Sequence, residues 1–438
     1  MQKAVWRAGV GVADITPEIG YELAGYAIRE QGAIGIHDPV YAKALALHDG
    51  STLTIIITCD LLGLDVSEVR ELRLSISSRC GMPSPSILIS ATHTHSGPAT
   101  MRTIGIGKRS PAYMATLKQN LLEAAIRACA SLEMVRIYYS QGVVDVGVNR
   151  RGKIPPGSIN PEPDPAGVVD RQVSALFIYR NREKLPWVVL MNCACHPTVL
   201  GPENRKVSAD FPGAAVSYIE THFKNRAVGM FINGAAGNVN PKLTGSFNEV
   251  KAIGNRLGAE ILRMAQKSNL ELAVGLDAAE QEIALPFNHL PSRTEWLAWI
   301  EKYENELNGA TDEAELKISR SCLEWARSYL ERNRKNELPR EVRVQIQRLQ
   351  IGQLTIIAIP GEVFAETGIY IKSQLRYPVL VAGYANGNVG YLPPAAEIEK
   401  GGYEVLEAHK FYGNPDHFSA DAEKNVRNAA LSLSFQKK

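Results

Sequence analysis

Six Ile- and Val-rich runs in this chain each stop abruptly at small or polar residues, and that repeated pattern limits the folds open to it. "LTIIITCD" ends at Asp60, "SILISATHTH" at His95 and "WVVLMNCACH" at His196. "VGMFINGAAGNVNP" carries Asn233, Asn238 and Asn240, "LTIIAIPGE" ends at Glu362, and "VLVAGYANGNVGY" ends at Tyr391. The runs are apolar throughout rather than alternating, as expected of strands covered on both faces. Helical patterns lie between them: "SEVRELRLSISSRC", "YMATLKQNLLEAAIRACASL", "GAAVSYIETHF" and "FNEVKAIGNRLGAEILRMAQ". That alternation predicts an α/β fold with central mixed β-sheets flanked by helices. In such folds reactive groups collect just beyond the strand ends, which is where each run delivers its polar residue.

The texture changes between about 292 and 336. "RTEWLAWIEKYENELN" and "DEAELKISRSCLEWARSYLERNRK" read as two charged amphipathic helices around Gly309. This predicts an inserted helical hairpin: a lid, a dimer surface or a solvated packing element. The stretch "NRRGKIPPGSINPEPDPAGVVD", residues 149–170, is rich in Pro and Gly and is a candidate pocket rim.

Charge excludes some partners. Charged residues are 21% of the chain and the formal net charge is +2, so no strong field favours nucleic acid or an anionic membrane. The N-terminal stretch lacks the apolar core of a secretion signal, and no segment approaches the roughly 18 apolar residues of a membrane helix. The expectation is a soluble, cytoplasmic chain acting on a small molecule, without nucleic acid or membrane insertion, and with homo-oligomerisation left open. None of the six cysteines sits at C-x-x-C spacing, and Cys193 and Cys195 are poorly placed in a strand for a mutual bridge. They read as buried thiols in a reducing compartment, although Cys195, beside His196, keeps a metal or nucleophile role open.

Two of only nine histidines, His93 and His95, stand one residue apart after an apolar run. In a strand they share a face, and neutral imidazole is the commonest zinc ligand. A third, His196, ends another run. Glu362 follows a Pro-Gly pair that turns the chain and aims a carboxylate; it reads equally as a glutamate at a helix N-terminus.

"GVGVADITP", "LAGYA", "VYAKALAL", "ISATHTHSGP", "VNRR", "VSADFPG", "NGAAGNVNP", "GQLTIIAIPGE" and "GYANGNVGYLP" then follow in order over nearly the whole chain. In this it resembles the catalytic domain of the neutral ceramidase family, zinc amidases that cleave N-acyl sphingosine. The resemblance implies one Zn2+ per chain, held by His93, His196, Glu362 and Tyr391, with His95 facing the substrate. It also implies an active-site Arg150 and a tyrosine twelve residues after Tyr391, where Tyr403 stands. Two departures matter. The family's "G-D-V-S-P" serine motif here reads Gly237, Asn238, Val239, Asn240, Pro241. An amide is no nucleophile, so water must attack, and Asn238 and Asn240 become substrate-binding candidates. The sequence carries no stretch resembling the family's C-terminal β-sandwich domain, and the expectation is a single catalytic domain over residues 1–438, without that accessory domain.

The expected function is zinc-dependent hydrolysis of a carboxamide by metal-activated water, on a small or soluble N-acyl compound rather than membrane ceramide. A zinc esterase or lactonase, and a non-catalytic ligand-binding member of the family, are the alternatives. His95 is the expected proton shuttle, with Arg150 and Tyr403 as hydrogen-bond donors. Asp60 and Asp210 are candidates to orient the ligand imidazoles or to cap the following helices. His37 is assigned packing or a turn.

Overall fold

The structure is a computed structural model, and it describes residues 5–29, 32–153, 162–267 and 270–435. Its centre is a nine-stranded mixed sheet. Eight strands run in the order Val228–Asn233, Val188–Cys193, Gln172–Arg180, Glu133–Val143, Arg7–Asp14, Tyr41–His48, Leu53–Cys59 and Ile87–Ala91, and Leu270–Glu271 pairs with Glu133–Val143 off this path. A second sheet holds Leu276–Pro286, Glu341–Ile351, Leu354–Ala358 and Val379–Ala382. This is the mixed α/β architecture expected from the sequence.

Side-chain alternation explains why the runs are apolar throughout. On the large sheet Ala44, Ile55, Ile57 and Ile89 face the helices Val66–Cys80 and Pro111–Ala130. Phe177, Met191 and Phe231 face Asp210–His222 and Phe247–Ala265. The residues between them, Leu45, Ile56, Leu88, Leu190 and Ile232, meet Leu354, Ile356 and Leu380 of the second sheet. Beyond that sheet, Ile357 and Val381 pack on the helices Ala365–Gln374 and Ala420–Phe435. The result is helices, sheet, sheet, helices. Each inner strand has two dry faces, and fully burying each such aliphatic side chain contributes about 1.5–3 kcal/mol.

Within the two large sheets three strand pairs are parallel: Leu53–Cys59 with Ile87–Ala91, Val188–Cys193 with Val228–Asn233, and Leu354–Ala358 with Val379–Ala382. A helix crosses over between the strands of each: Val66–Cys80, Asp210–His222 and Ala365–Gln374. The first two units form opposite edges of the large sheet, yet their ends meet. Asn233 Nδ2 donates to Thr92 O at 3.1 Å, and the third unit closes the gap through Gly383 N to Asn233 O and Ala91 N to Tyr384 O, each 3.1 Å. Three parallel units therefore point their carboxyl ends at one place.

The inserted hairpin is present as Arg293–Gly309 and Glu313–Arg334. Ser292 and Glu295 form a capping box on its first helix, and Asp312 accepts Glu315 N on the second. It does more than sit in solvent. Trp296, Tyr303, Trp325 and Tyr329 build a small core of their own. Trp325 Nε1 donates to Asn414 O at 2.7 Å, and Tyr329 Oη to Gly413 O at 2.5 Å. The hairpin thus holds the segment that follows Tyr403. Among the described residues, no helix is long and apolar enough to cross a membrane.

Candidate metal centre

His93 and His95 are not in a strand; the strand Ile87–Ala91 ends before them. Their convergence comes from a turn, because His93 takes a left-handed backbone, φ 70°, while its N–H donates to Leu61 O at 2.9 Å. His93 Nδ1 lies 2.6 Å from Leu62 O. A carbonyl oxygen only accepts, so Nδ1 carries a proton and Nε2 is the nitrogen turned to the site. His196 repeats the device: its N–H donates to Val239 O at 2.9 Å and its Nδ1 lies 2.6 Å from Ala236 O.

Both Nε2 atoms face Glu362, whose Oε2 is 3.3 Å from that of His93 and 3.1 Å from that of His196. The Pro-Gly turn leads into the short strand Glu362–Val363, which pairs in parallel with Tyr391–Leu392 and sets Glu362 directly opposite Tyr391. Tyr391 stacks at 6.5 Å and 16° from the His196 ring, and Arg150 Nη2 donates to its hydroxyl at 2.9 Å. His95 Nε2 is 3.4 Å from His93 Nε2. The ligand nitrogens of His93, His95 and His196 all lie within 4.8 Å of one another.

This donor set fits a divalent cation. His196 Nε2 and Glu362 Oε2 are buried with no hydrogen-bond partner, and imidazole lone pairs face a carboxylate across about hydrogen-bond distance. Acceptors face acceptors, an arrangement that a cation between them stabilises. Burial, then Arg150, push His196 down to about 4 against the pull of Glu362. Burial, then His93 and His196, hold His95 well below its ordinary value. Burial alone would raise Glu362, but His93 and His196 outweigh it and keep the carboxyl well below the usual range. Unprotonated His95 and His196 beside a carboxylate are the forms a metal takes.

Several expectations need correction. The carbonyls of Leu62 and Ala236 orient the two imidazoles, not Asp60 or Asp210. Asp60 accepts Tyr41 N at 2.9 Å, and burial raises it to about 6. Asp210 accepts Leu200 N and Phe211 N at 3.1 and 2.6 Å, and burial raises it to about 7. Both line a separate cavity of about 950 Å³. Asn238 is not open to a substrate: its Oδ1 accepts Ala365 N and its Nδ2 donates to Glu366, each at 2.8 Å. It is a strut at a helix start. Arg150 is nearly saturated, with Nε on Glu404 (2.7 Å), Nη1 on Asn240 Oδ1 (3.1 Å) and Nη2 on both Gly237 O (2.8 Å) and Tyr391 Oη. A guanidinium has five N–H donors, so one remains, and Arg150 serves first to hold Tyr391. Asn240, half-buried, gives only its oxygen to Arg150. All six cysteines are free, and burial pushes the Cys195 thiol far up, so it is no nucleophile. His37 stacks on Phe247 at 3.6 Å and pairs with Asp38, as a packing residue does. Of the candidate rim at 149–170, residues 154–161 lie outside the described residues.

Four residues escaped the sequence reading. The Tyr412 hydroxyl donates to Glu362 Oε1. Tyr384 stacks on His93 at 4.0 Å, with φ 53° and its hydroxyl buried and unpartnered. Glu404 bridges Arg150 and Arg151, and Arg151 also binds Glu397 at 2.7 Å. Tyr403, which the resemblance had implied, stands where its ring meets Tyr391 at 6.1 Å. A buried hydroxyl without a partner contributes nothing to the fold. Tyr384→Phe should therefore leave the unfolding free energy within about 1 kcal/mol or raise it, as measured by urea denaturation. A loss of about 2 kcal/mol or more would mean that the hydroxyl is bonded.

Comparison with known proteins follows the same outline. The family model described as neutral/alkaline non-lysosomal ceramidase, N-terminal, matches residues 6–257. The neutral ceramidase of Pseudomonas aeruginosa is 27% identical over 325 residues, covering 66% of this chain and 46% of that protein. The neutral ceramidase of Drosophila pseudoobscura pseudoobscura is 28% identical over 272 residues, covering 56% and 37%. The aligned regions thus span less than half the length of these curated relatives. A crystal structure of the Pseudomonas aeruginosa enzyme superimposes with a TM-score of 0.74 at 20% identity, covering 99% of this chain and 75% of that one.

Proposed function

The chain belongs to the neutral/alkaline non-lysosomal ceramidase family, and from that premise we propose that it is a zinc-dependent amidohydrolase acting on a small N-acyl compound. One observation carries the reading: two imidazoles, each with its second nitrogen fixed by a backbone carbonyl, aim lone pairs at one buried carboxylate. His93, His196 and Glu362 would hold the metal, with Tyr391 beside them as the fourth ligand. When bound, zinc would supply Lewis acidity and would lower the pKa of a water beside it towards neutrality.

The chain's own residues do the rest. His95 is the half-buried member of the histidine group. It is neutral, so it can take a proton from the attacking water and return it to the leaving amine. Arg150 fixes the Tyr391 hydroxyl and brings positive charge to the carbonyl side. Among the described residues, the amide N–H groups of Asn240, the hydroxyl of Tyr403 and the one remaining N–H of Arg150 are donors open to the substrate. No serine stands at the Asn240 position, so a water nucleophile accounts for the chemistry.

The test is elemental analysis of the purified protein together with a panel of N-acyl and O-acyl substrates, with and without a chelator. The reading requires one zinc per chain and amide cleavage that chelation stops. His95→Ala should keep its metal and lose about 10²–10⁴-fold in kcat. If His95→Ala strips the metal instead, the site is a three-histidine centre and the role given to Tyr391 is wrong.

A further inference from the structure

Four arginines are buried among the described residues: Arg29, Arg73, Arg151 and Arg348. Three have a carboxylate, namely Glu280 for Arg73, Glu397 and Glu404 for Arg151, and Asp277 for Arg348. Among the described residues Arg29 has none within ion-pair distance, although Glu203 is near enough to favour its charge. It is 6% exposed, and its one side-chain hydrogen bond runs from Nη1 to Ala24 O at 2.8 Å. Nε and Nη2 are buried without a partner. Burial lowers this guanidinium only to about 10, so it stays charged at neutral pH. An unpaired buried charge strongly opposes folding, so its retention calls for an anion supplied from elsewhere.

Its place in the fold says which anion. The Tyr26 ring lies 4.8 Å from the Arg29 guanidinium carbon and 4.9 Å from the His95 ring. Gly25 presses so closely on His95 that a Cβ there would come within 2.4 Å of Nδ1, and its φ of 104° suits only glycine. The segment Leu23–Arg29 therefore forms the wall beside His95. Lys317 of the inserted hairpin donates to Arg29 O at 3.5 Å and ties that wall down. The two free donors form the side-on edge of the guanidinium, whose parallel N–H bonds match the two oxygens of a carboxylate. The segment reaches the surface, with Ile28 40% exposed and Tyr26 and Ala27 half-buried.

We infer that Arg29 is a carboxylate subsite beside the reacting amide, and that the substrate is an N-acyl amino acid whose carboxylate sits on the amine half. This rests on the amidase reading, because the amine half is placed by the residue that protonates it, His95. Because Nε and Nη2 are buried, the proposal requires side chains of this segment to move when the carboxylate binds. The reaction balances as R–CO–NH–CHR′–COO⁻ plus water giving R–COO⁻ and ⁺H₃N–CHR′–COO⁻: a C–O bond forms, the C–N bond breaks, and the amine leaves protonated.

The test compares N-octanoylglycine with N-octanoylethanolamine, which lacks the charge. Calorimetric binding to chelator-treated full-length protein avoids turnover. The carboxylate should bind about tenfold to a hundredfold more tightly. Arg29→Gln and Arg29→Met should erase that preference, leave the neutral ligand unchanged, and melt at or above the unsubstituted protein. Equal binding by the unsubstituted protein, a preference that survives Arg29→Gln, or a clear fall in melting temperature for Arg29→Met would each overturn the subsite. Hydrolysis of the same two compounds by zinc-loaded protein separates the claims. Cleavage of both at equal efficiency keeps the amidase and rejects the subsite. Charge-selective binding with no cleavage of any amide keeps the subsite and rejects the amidase.

Discussion

Glu362→Gln is expected to abolish metal binding and hydrolysis together while leaving the metal-free protein at least as stable as before. Glu362 is fully buried and its Oε2 meets two imidazole nitrogens whose partner nitrogens already donate to carbonyls. Without a cation that carboxylate is a desolvated charge, an arrangement destabilising by several kcal/mol even after relaxation. Glutamine keeps the shape, lets Tyr412 still donate to its oxygen, and turns an N–H towards His93 and His196. It removes the negative ligand. Activity should fall by at least about 10³-fold, because water loses the pKa shift that the metal supplies. Elemental analysis, steady-state kinetics and urea denaturation of chelator-treated protein check the three parts. A variant that still binds one zinc tightly would contradict the ligand assignment. One that loses several kcal/mol of metal-free stability would mean that the carboxylate is paired with an imidazolium instead.

Glu404→Ala should destabilise the protein by about 3–5 kcal/mol, the loss typical when one partner of a buried ion pair is removed. Its side chain is 2% exposed, as is that of Arg151, and it accepts from both Arg150 Nε and Arg151 Nη1. Truncation leaves Arg151 with Glu397 alone and frees one edge of Arg150. The same change should weaken metal binding by about 10–100-fold, as outer-shell substitutions do, because Arg150 is what holds the Tyr391 hydroxyl. Denaturation curves and competitive metal titration measure the two effects. A loss below about 1 kcal/mol would place this network among ordinary surface pairs.

These two residues also mark how far the sequence could be read. Glu362 was legible because a Pro-Gly turn after an apolar run announces a strand end. Its register opposite Tyr391 was not, since that pairing joins segments whose proximity depends on the whole third crossover unit. The runs predicted strands with two dry faces, and the two-sheet packing supplies both faces. The histidine pair was found for an incomplete reason. Strand periodicity suggested a shared face, whereas a left-handed turn at His93 brings the rings together. Glu404 and Arg151 were invisible because their partners lie far apart in sequence, and charge composition does not reveal pairing. Tyr384 and Tyr412 carried no local signal at all; a tyrosine near a glycine has many structural uses. Asn238 misled for the converse reason. Its motif position pointed to substrate, but an amide that can contact a ligand can equally cap a helix start, and here it does.

An anomalous difference map at the zinc absorption edge, from crystals of the zinc-loaded protein, tests the central claim most directly. The account predicts one strong peak per chain about 2.0–2.2 Å from His93 Nε2, His196 Nε2 and a Glu362 oxygen. A peak elsewhere, or one bound by His93 and His95 with Glu362 turned away, would contradict it.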